Sequence, residues 1–429
     1  MPTPLPDAPK ETSRTLWSRS AGSAGEEYNS FALRVPAILL IALLCALLAL
    51  GVAVIYSATI ATSGDKFFHD QIVWIIAGGI ACVAGCFIPT RFFYRYAFWL
   101  VLLVALPLAY LAIASVAGHF NHNLIGKFPM ISEIKGAVRW LRVGGHMVQP
   151  SEFAKLALAV FLAAYYGHAS REDIGTFTKG VLIPGGVAAV VMGLILIGKD
   201  LSTTVITGGM VFAIMFLAGV KSRFLLTILL LGCVAGYGLI YSKPYRVKRM
   251  TAFRNPEAHR DNESYQLYRS LLCLGSGGLT GRGYAKGYMK SYLPEAHTDF
   301  IVAVIGEEFG MIGVAIVILL YLFLCACIVL IGGRCRRRSD LLFCLAFAVL
   351  IALQAMVNIC VVSGALPPTG VTAPFLSYGG SSILSLMFMC GMVFHISHRN
   401  HRDIYNEMLA MRFAPVQDLP DVGAPAQQS

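Results

Sequence analysis

The segment Pro294-Glu295-Ala296-His297-Thr298-Asp299-Phe300 closes a strongly basic stretch and opens a long apolar run. Thr298 is suited to cap a helix there, which sets Asp299 in the first helical turn. An acid in that position can simply steady the helix dipole. Placed at the edge of an apolar run, directly after a cationic loop, the same carboxylate can also take a proton from a substrate hydroxyl in a transition state. Glu307 and Glu308 lie two turns deeper. They either face a polar cavity or anchor the helix, because acids within a membrane span are rarely left facing lipid.

A second group sits in Gln149-Pro150-Ser151-Glu152-Phe153-Ala154-Lys155. Pro150 and Ser151 suit a helix start, and a spacing of three puts Glu152 and Lys155 on one face. The two either neutralise each other or line a polar cavity. Lys199-Asp200 reads as a turn pair in a very short connection. In Arg139-Trp140, Trp suits a membrane interface and Arg suits a phosphate. Gly364 to Ser382 reads GALPPTGVTAPFLSYGGSS: apolar, yet too rich in Pro and Gly for a regular span. Such backbone at membrane depth needs protein or a wet cavity around it. It is expected to be a re-entrant loop capping a cavity.

The elements that must position these residues are membrane helices. Of 429 residues, 57% are hydrophobic and 13% charged, against about 25% charged in soluble domains. Runs long enough to span, about 20 residues each, fall near 34–58, 70–88, 97–116, 151–167, 179–197, 202–220, 224–242, 299–332, 341–363 and 380–397. The fold class is therefore all-α, a polytopic membrane protein of about ten transmembrane helices. The fourth span is short and charged. Barrel-type alternation is absent, which leaves helices to satisfy the backbone.

Arg91, Arg95, Arg171, Lys179, Lys221, Arg223, Arg334, Arg336, Arg337, Arg338, Arg399 and Arg402 all fall on one side. That side is cytoplasmic by the positive-inside rule, which puts both termini inside. The formal charge of +11 is read as cytoplasmic loops rather than as nucleic-acid binding. Residues 1–33 and 401–429 are expected to be cytoplasmic tails around a membrane domain at 34–400. The outer loops are then about 117–150, 243–298 and 364–379. The large one, 243–298, joins spans seven and eight and holds ten Lys or Arg against four Asp or Glu. Arg246, Arg249 and Lys290 make it either a solvated surface or a site for an anion such as a lipid diphosphate. GSGGLTGRG at Gly275–Gly283 lacks the Lys-Ser/Thr ending of a phosphate loop. The eleven cysteines lie mostly in apolar runs and suggest neither zinc nor disulfides.

Taken together, these stretches resemble the SEDS (shape, elongation, division, sporulation) family of bacterial cell-wall proteins. The likeness is carried by GAVRWLRVG at Gly136–Gly144, QPSEFAK at Gln149–Lys155, GKDLSTT at Gly198–Thr204 and PYRVKRMTAFRNP at Pro244–Pro256. It continues in SYQLYRSLLCLGSGGLTGRG at Ser264–Gly283, PEAHTDFIVAVIGEEFG at Pro294–Gly310 and LPPTGVTAPFLSYGGSS at Leu366–Ser382. It spans about 34–400 and tilts toward the division branch. Gly283-Tyr284-Ala285 departs from the family's glycine-rich pattern, and Lys290 lies closer to Pro294 than the family's lysine does.

The resemblance implies a peptidoglycan glycosyltransferase that polymerises lipid II, a disaccharide-peptide on a polyprenyl diphosphate, at the outer leaflet. It implies Asp299 as the essential acid, acting as general base in an inverting reaction. Arg139, Trp140, Glu152, Lys155, Lys199, Asp200, Arg246, Arg249, Lys290, His297, Ser377 and Ser381 are the candidate substrate-binding residues. No cofactor is expected, except that a divalent cation, magnesium or manganese, can ride on the diphosphate. The implied partners are a class B penicillin-binding protein acting as transpeptidase, other division membrane proteins, and the lipid substrate itself. Two alternatives are a lipid II flippase, with Glu307, Glu308 and His395 extending a path inward, and a scaffold that only recruits the transpeptidase.

Overall fold

The computed structural model describes residues 30–121, 128–134, 137–241, 244–262 and 264–412; the expected tail at 1–33 and the end of that at 401–429 lie largely outside them. In hydrocarbon each apolar run must satisfy its own backbone, so it coils. The helices are α1 (Ser30–Ser63), α2 (Lys66–Phe87), the short α3 (Thr90–Arg95), α4 (Ala97–Phe120), α5 (Pro150–His168) and the short α6 (Arg171–Ile174). They continue as α7 (Ile183–Ile197, after a π turn at Thr178–Leu182), α8 (Leu201–Leu217), α9 (Ser222–Tyr241), α10 (Pro244–Arg254), α11 (Tyr265–Gly277), α12 (Ile301–Gly333), α13 (Arg338–Val362) and α14 (Gly380–Arg412).

All ten expected spans fall on helices: α1, α2, α4, α5, α7, α8, α9, α12, α13 and α14. Among the described residues, seven helices are long and apolar enough to cross a membrane, and α8 and most of α9 are shorter apolar helices. The last span runs on to Arg412 without a break at 401.

The charged fourth span, α5, turns out to be the centre of the bundle. Fifteen of its nineteen residues are buried, so protein rather than lipid surrounds it on every side. Helices α13, α4, α14 and α8 pack around it. Small side chains such as Ala154, Ala157, Ala159 and Ala163 let them come close. Its low apolarity is thus a consequence of position: a helix enclosed by helices need not be lipid-like.

Close backbone approach also joins α2 to α14. A Cβ at Gly391 would fall 2.0 Å from the carbonyl oxygen of Cys82, and one at Gly85 would fall 2.7 Å from that of Phe388. In contrast, Leu226, Leu229, Leu230, Leu231 and Val234 on α9 are exposed, the surface that hydrocarbon covers.

One element departs from the all-α expectation. The first long loop forms a three-stranded antiparallel sheet of β1 (Ile131–Ile134), β2 (Ala137–Val143) and β3 (His146–Val148), in the order β1-β2-β3. Val143 pairs with His146 across Gly144 and Gly145, whose φ values are 57° and 86°. That is a two-residue turn with left-handed conformation at both positions, which glycine adopts freely. Val138 of β2 is buried with Leu111 and Ala114 of α4, which fixes the sheet on the end of the bundle.

The opposite end is closed by a polar knot. Asp340, at the start of α13, forms an ion pair with Arg399 of α14. It also accepts hydrogen bonds from Thr90 Oγ1 at 3.2 Å and the Tyr94 hydroxyl at 3.0 Å on α3.

Candidate active site

At the sheet end, Gln149 links the N-termini of α5, α8 and α14, and the 364–379 loop ties the start of α12 to those of α8 and α14. Gln149, which precedes α5, links two of its neighbours. Its backbone N–H donates to Ser381 Oγ on α14 (2.9 Å) and its side-chain Nε2 to Asp200 Oδ2 (2.8 Å). Asp200 caps α8, accepting from the Thr203 N–H at 3.2 Å, as an N-cap aspartate does. Arg139 on β2 reaches the same carboxylate, Nη1 to Oδ1 being 3.6 Å. The sheet therefore carries a half-exposed guanidinium to the helix ends. Trp140 follows on the strand, paired in register with Ser132.

Asp299 stands half-buried just ahead of α12. The expectation that Thr298 caps this helix and Asp299 opens it is corrected: α12 starts at Ile301 with Phe300 as its cap residue. The reason lies at Glu295, whose φ of 57° turns the chain tightly. The N–H groups of Thr298 and Phe300 both donate to the Glu295 carbonyl, at 3.1 and 3.4 Å. Thr298 Oγ1 turns back to the same carbonyl at 3.2 Å instead of capping.

The 364–379 segment is irregular, as its composition predicts, and it is stitched onto this turn. Tyr378 N–H donates to the His297 carbonyl at 2.9 Å, and Ser377 Oγ donates to that of Thr298 at 2.5 Å. Asn358 of α13 joins both, its Nδ2 donating to the carbonyls of Asp299 (2.8 Å) and Val371 (2.7 Å). A Cβ at Gly370 would lie 3.4 Å from Asp299 Oδ2, so the loop backbone flanks the carboxylate itself. Lys199, Glu295 and Phe375 all hold positive φ here without being glycine, the kind of backbone strain that collects at functional sites.

Several of the candidate residues are taken up in ion pairs and hydrogen bonds within the protein. Lys155 and Glu152 form a buried ion pair, Nζ to Oε1 2.8 Å, while Glu152 Oε2 has no hydrogen-bond partner among the described residues. Lys290 is buried and paired with Glu308. Ser377 and Ser381 are buried and bonded to backbone. Lys199 is exposed in its turn. Arg249 is half-buried on α10. Arg246 lies on the same helix, its side chain outside the described residues. The His297 ring stacks at 4.2 Å on Phe67 and 5.8 Å from Tyr378. Burial pushes its pKa below the ordinary 6.5, against a weaker opposing pull from Glu295.

Sequence reasoning missed Asn358, Gln149 and Gly370. The first had a signal: an amide inside an apolar helix is expensive to leave idle. Among the described residues, no three His, Cys, Asp or Glu side chains gather into a group that could hold a metal ion.

Residues 37–402 match the family model of cell cycle proteins that covers FtsW, RodA and SpoVE. A probable peptidoglycan glycosyltransferase FtsW of Geobacter metallireducens is 34% identical over 366 residues, covering 82% of this chain and 92% of that protein. The stage V sporulation protein E of Bacillus subtilis is 32% identical over 371 residues, covering 84% and 97%. Among solved structures, a chain of a peptidoglycan synthase complex that coordinates polymerization and crosslinking matches with a TM-score of 0.70. It is 26% identical and covers 85% of this chain and 98% of that one. The rod shape determining protein RodA of Thermus thermophilus matches with a TM-score of 0.61, at 28% identity, covering 85% and 96%.

Proposed function

Because the chain belongs to the FtsW/RodA/SpoVE family and is a multi-pass membrane peptidoglycan glycosyltransferase, we propose that it polymerises lipid II during cell division, with Asp299 as general base. The observation that carries this is the half-buried Asp299 carboxylate, flanked by Gly370 of the loop that ties the N-termini of α8, α12 and α14 together. The basic loops at the opposite end, with Arg91, Arg95 and Arg334 to Arg338, argue that this end faces outward.

In the proposed reaction, Asp299 takes the proton from the 4-hydroxyl of the acceptor's N-acetylglucosamine. The freed oxygen attacks the anomeric carbon of the donor's muramic sugar, the bond to the diphosphate breaks, and the diphosphate leaves with the electron pair. An α-linked donor gives a β-1,4 product by a single inversion, with no covalent enzyme intermediate. The leaving group gains negative charge. Helix N-termini each present roughly half a positive charge and bind phosphate. Arg139 on β2 supplies a full charge beside them, with Arg249 and Arg246 of α10 as further candidates. A preorganised donor of this kind is worth about 3–4 kcal/mol in the transition state.

The flippase reading needs a polar route that continues inward. The groups that would build it are engaged elsewhere: Glu307 and Glu308 bind the loop before Asp299, and His395 Nδ1 lies 2.7 Å from the Cys86 carbonyl. A transpeptidase of the class B penicillin-binding type is the proposed partner, in keeping with the synthase complex among the solved relatives. The test is polymerisation of lipid II by the purified protein with that partner. Asp299→Asn is expected to lose polymer by about 100-fold or more; near-normal polymer rejects the base assignment.

A further inference from the structure

Glu307 and Glu308 are fully buried acids in α12 that the proposed chemistry does not use. They sit at a break in that helix. Gly310 has φ 67° and ψ −165°, and the backbone bonds that should bridge it are exchanged with the loop after α11. The N–H groups of Met311 and Ile312 donate to the carbonyls of Gly278 (2.9 Å) and Leu279 (3.2 Å). The carbonyls of Glu307 and Glu308 accept instead from the N–H groups of Arg282 and Gly283, each at 3.0 Å. The loop is spliced into the helix, which keeps both sets of backbone groups satisfied where water is excluded.

The side chains continue the splice. Glu307 accepts two backbone N–H bonds, from Met289 to Oε1 (2.7 Å) and from Lys290 to Oε2 (2.8 Å). Glu308 accepts from the Lys290 ammonium and from Ser57 Oγ of α1, and Lys290 Nζ lies 2.5 Å from Ser57 Oγ. Gly287 makes room for this approach: a Cβ there would fall 2.8 Å from the Glu307 carboxyl carbon.

The segment held by Glu307 is a short 3-10 turn, Met289–Tyr292, which leads through residues 293–298 to Asp299 and then α12. Residues 289–300 therefore form a loop with both ends fixed to one helix, by the Glu307 carboxylate at its start and by Ile301 at its close. We propose that Glu307 is a positioning residue that sets Asp299 by clamping this loop, an inference that rests on Asp299 being the general base. Charge-assisted bonds to backbone are among the stronger ones. A displacement of about 1 Å in a reacting group is enough to slow a reaction about 100-fold.

The test uses the full chain with its transpeptidase partner and radiolabelled lipid II. Bound lipid II is counted by filter retention, so that rates refer to binding-competent molecules. Glu307→Gln is expected to keep KM and binding stoichiometry while kcat per bound substrate falls about 10-fold, and Glu307→Ala to fall further toward about 100-fold. Gly287→Ala, whose Cβ would fall against the Glu307 carboxylate and push the loop off it, should lower kcat in the same way. A kcat for Glu307→Gln within about twofold of wild type overturns the proposal; so does a loss of rate matched by an equal loss of bound lipid II. Asp299→Asn is run alongside. If it polymerises normally, the base assignment itself is overturned; if it is inactive beside a normal Glu307→Gln, only the clamp is.

Discussion

Asn358 holds the backbone of Asp299 from a different helix: its Nδ2 lies 2.8 Å from the Asp299 carbonyl oxygen and 2.7 Å from that of Val371. One amide thus fixes the turn before α12 and the capping loop relative to α13. Replacing it by leucine leaves two buried carbonyls without that donor, each costing about 1–3 kcal/mol. Asn358→Leu is expected to lower the melting temperature and to reduce polymerisation per folded molecule about 10-fold or more, since Asp299 loses its fix. Melting in detergent and lipid II turnover together check this; a stable variant with full turnover refutes it.

The buried pair Lys155–Glu152 gives a prediction of different shape. The two side chains are 2% and 9% exposed, so neither charge is relieved by water. Removing one partner leaves the other uncompensated, at about 3–5 kcal/mol. Lys155→Met alone should therefore be strongly destabilising. Lys155→Met combined with Glu152→Leu should recover most of the loss, because apolar pairs of similar volume are tolerated in such places. Thermal unfolding of the two single variants and the double one decides it; additive losses would show that the pair is not coupled.

Most of the ten helical runs were legible from length and apolarity, and Glu152 with Lys155 was legible as a face-sharing pair. What those residues touch was not. Nothing in the sequence of α5 says that four helices enclose it; that depends on partners far along the chain. The sheet had a readable mark in Val143-Gly144-Gly145-His146, a two-glycine turn between short runs of β-forming residues, outweighed by the helical character of everything around it. Asp299 was singled out by its setting, but the helix start was placed two residues early, since the left-handed turn at Glu295 draws the Phe300 N–H away from helix geometry. The Lys290–Glu308 pair and its Ser57 partner, more than 200 positions away, belong to the tertiary fold.

At the opposite end, Asp340 gathers Thr90, Tyr94 and Arg399. Asp340→Ala removes the acceptor from three donors on two other helices and leaves Arg399, 15% exposed, with only the more distant Asp403 carboxylate at 4.0 Å. A loss of several kcal/mol is expected, of the order found for broken buried pairs. The knot is far along the helices from Asp299, so polymerisation per folded molecule should stay close to wild type. Yield and melting temperature falling together with an unchanged specific rate is the expected result; a fall in the specific rate at equal folded fraction would contradict it.

The His297 ring supplies a prediction in pH. Burial against Phe67 and Tyr378 holds its pKa below the ordinary 6.5, with Glu295 pulling weakly the other way. The unfolded chain therefore binds the proton first as pH falls. Above the ordinary value both states are neutral at this site and stability is unaffected. From about pH 6.5 downward the unfolded state is favoured progressively, until the folded pKa is passed and the loss levels off. His297→Phe keeps a ring between Phe67 and Tyr378 but cannot take a proton. Its melting temperature should fall less than that of wild type between about pH 7 and pH 5. Parallel curves for the two proteins would show that this histidine is as readily protonated in the folded protein as in the unfolded chain.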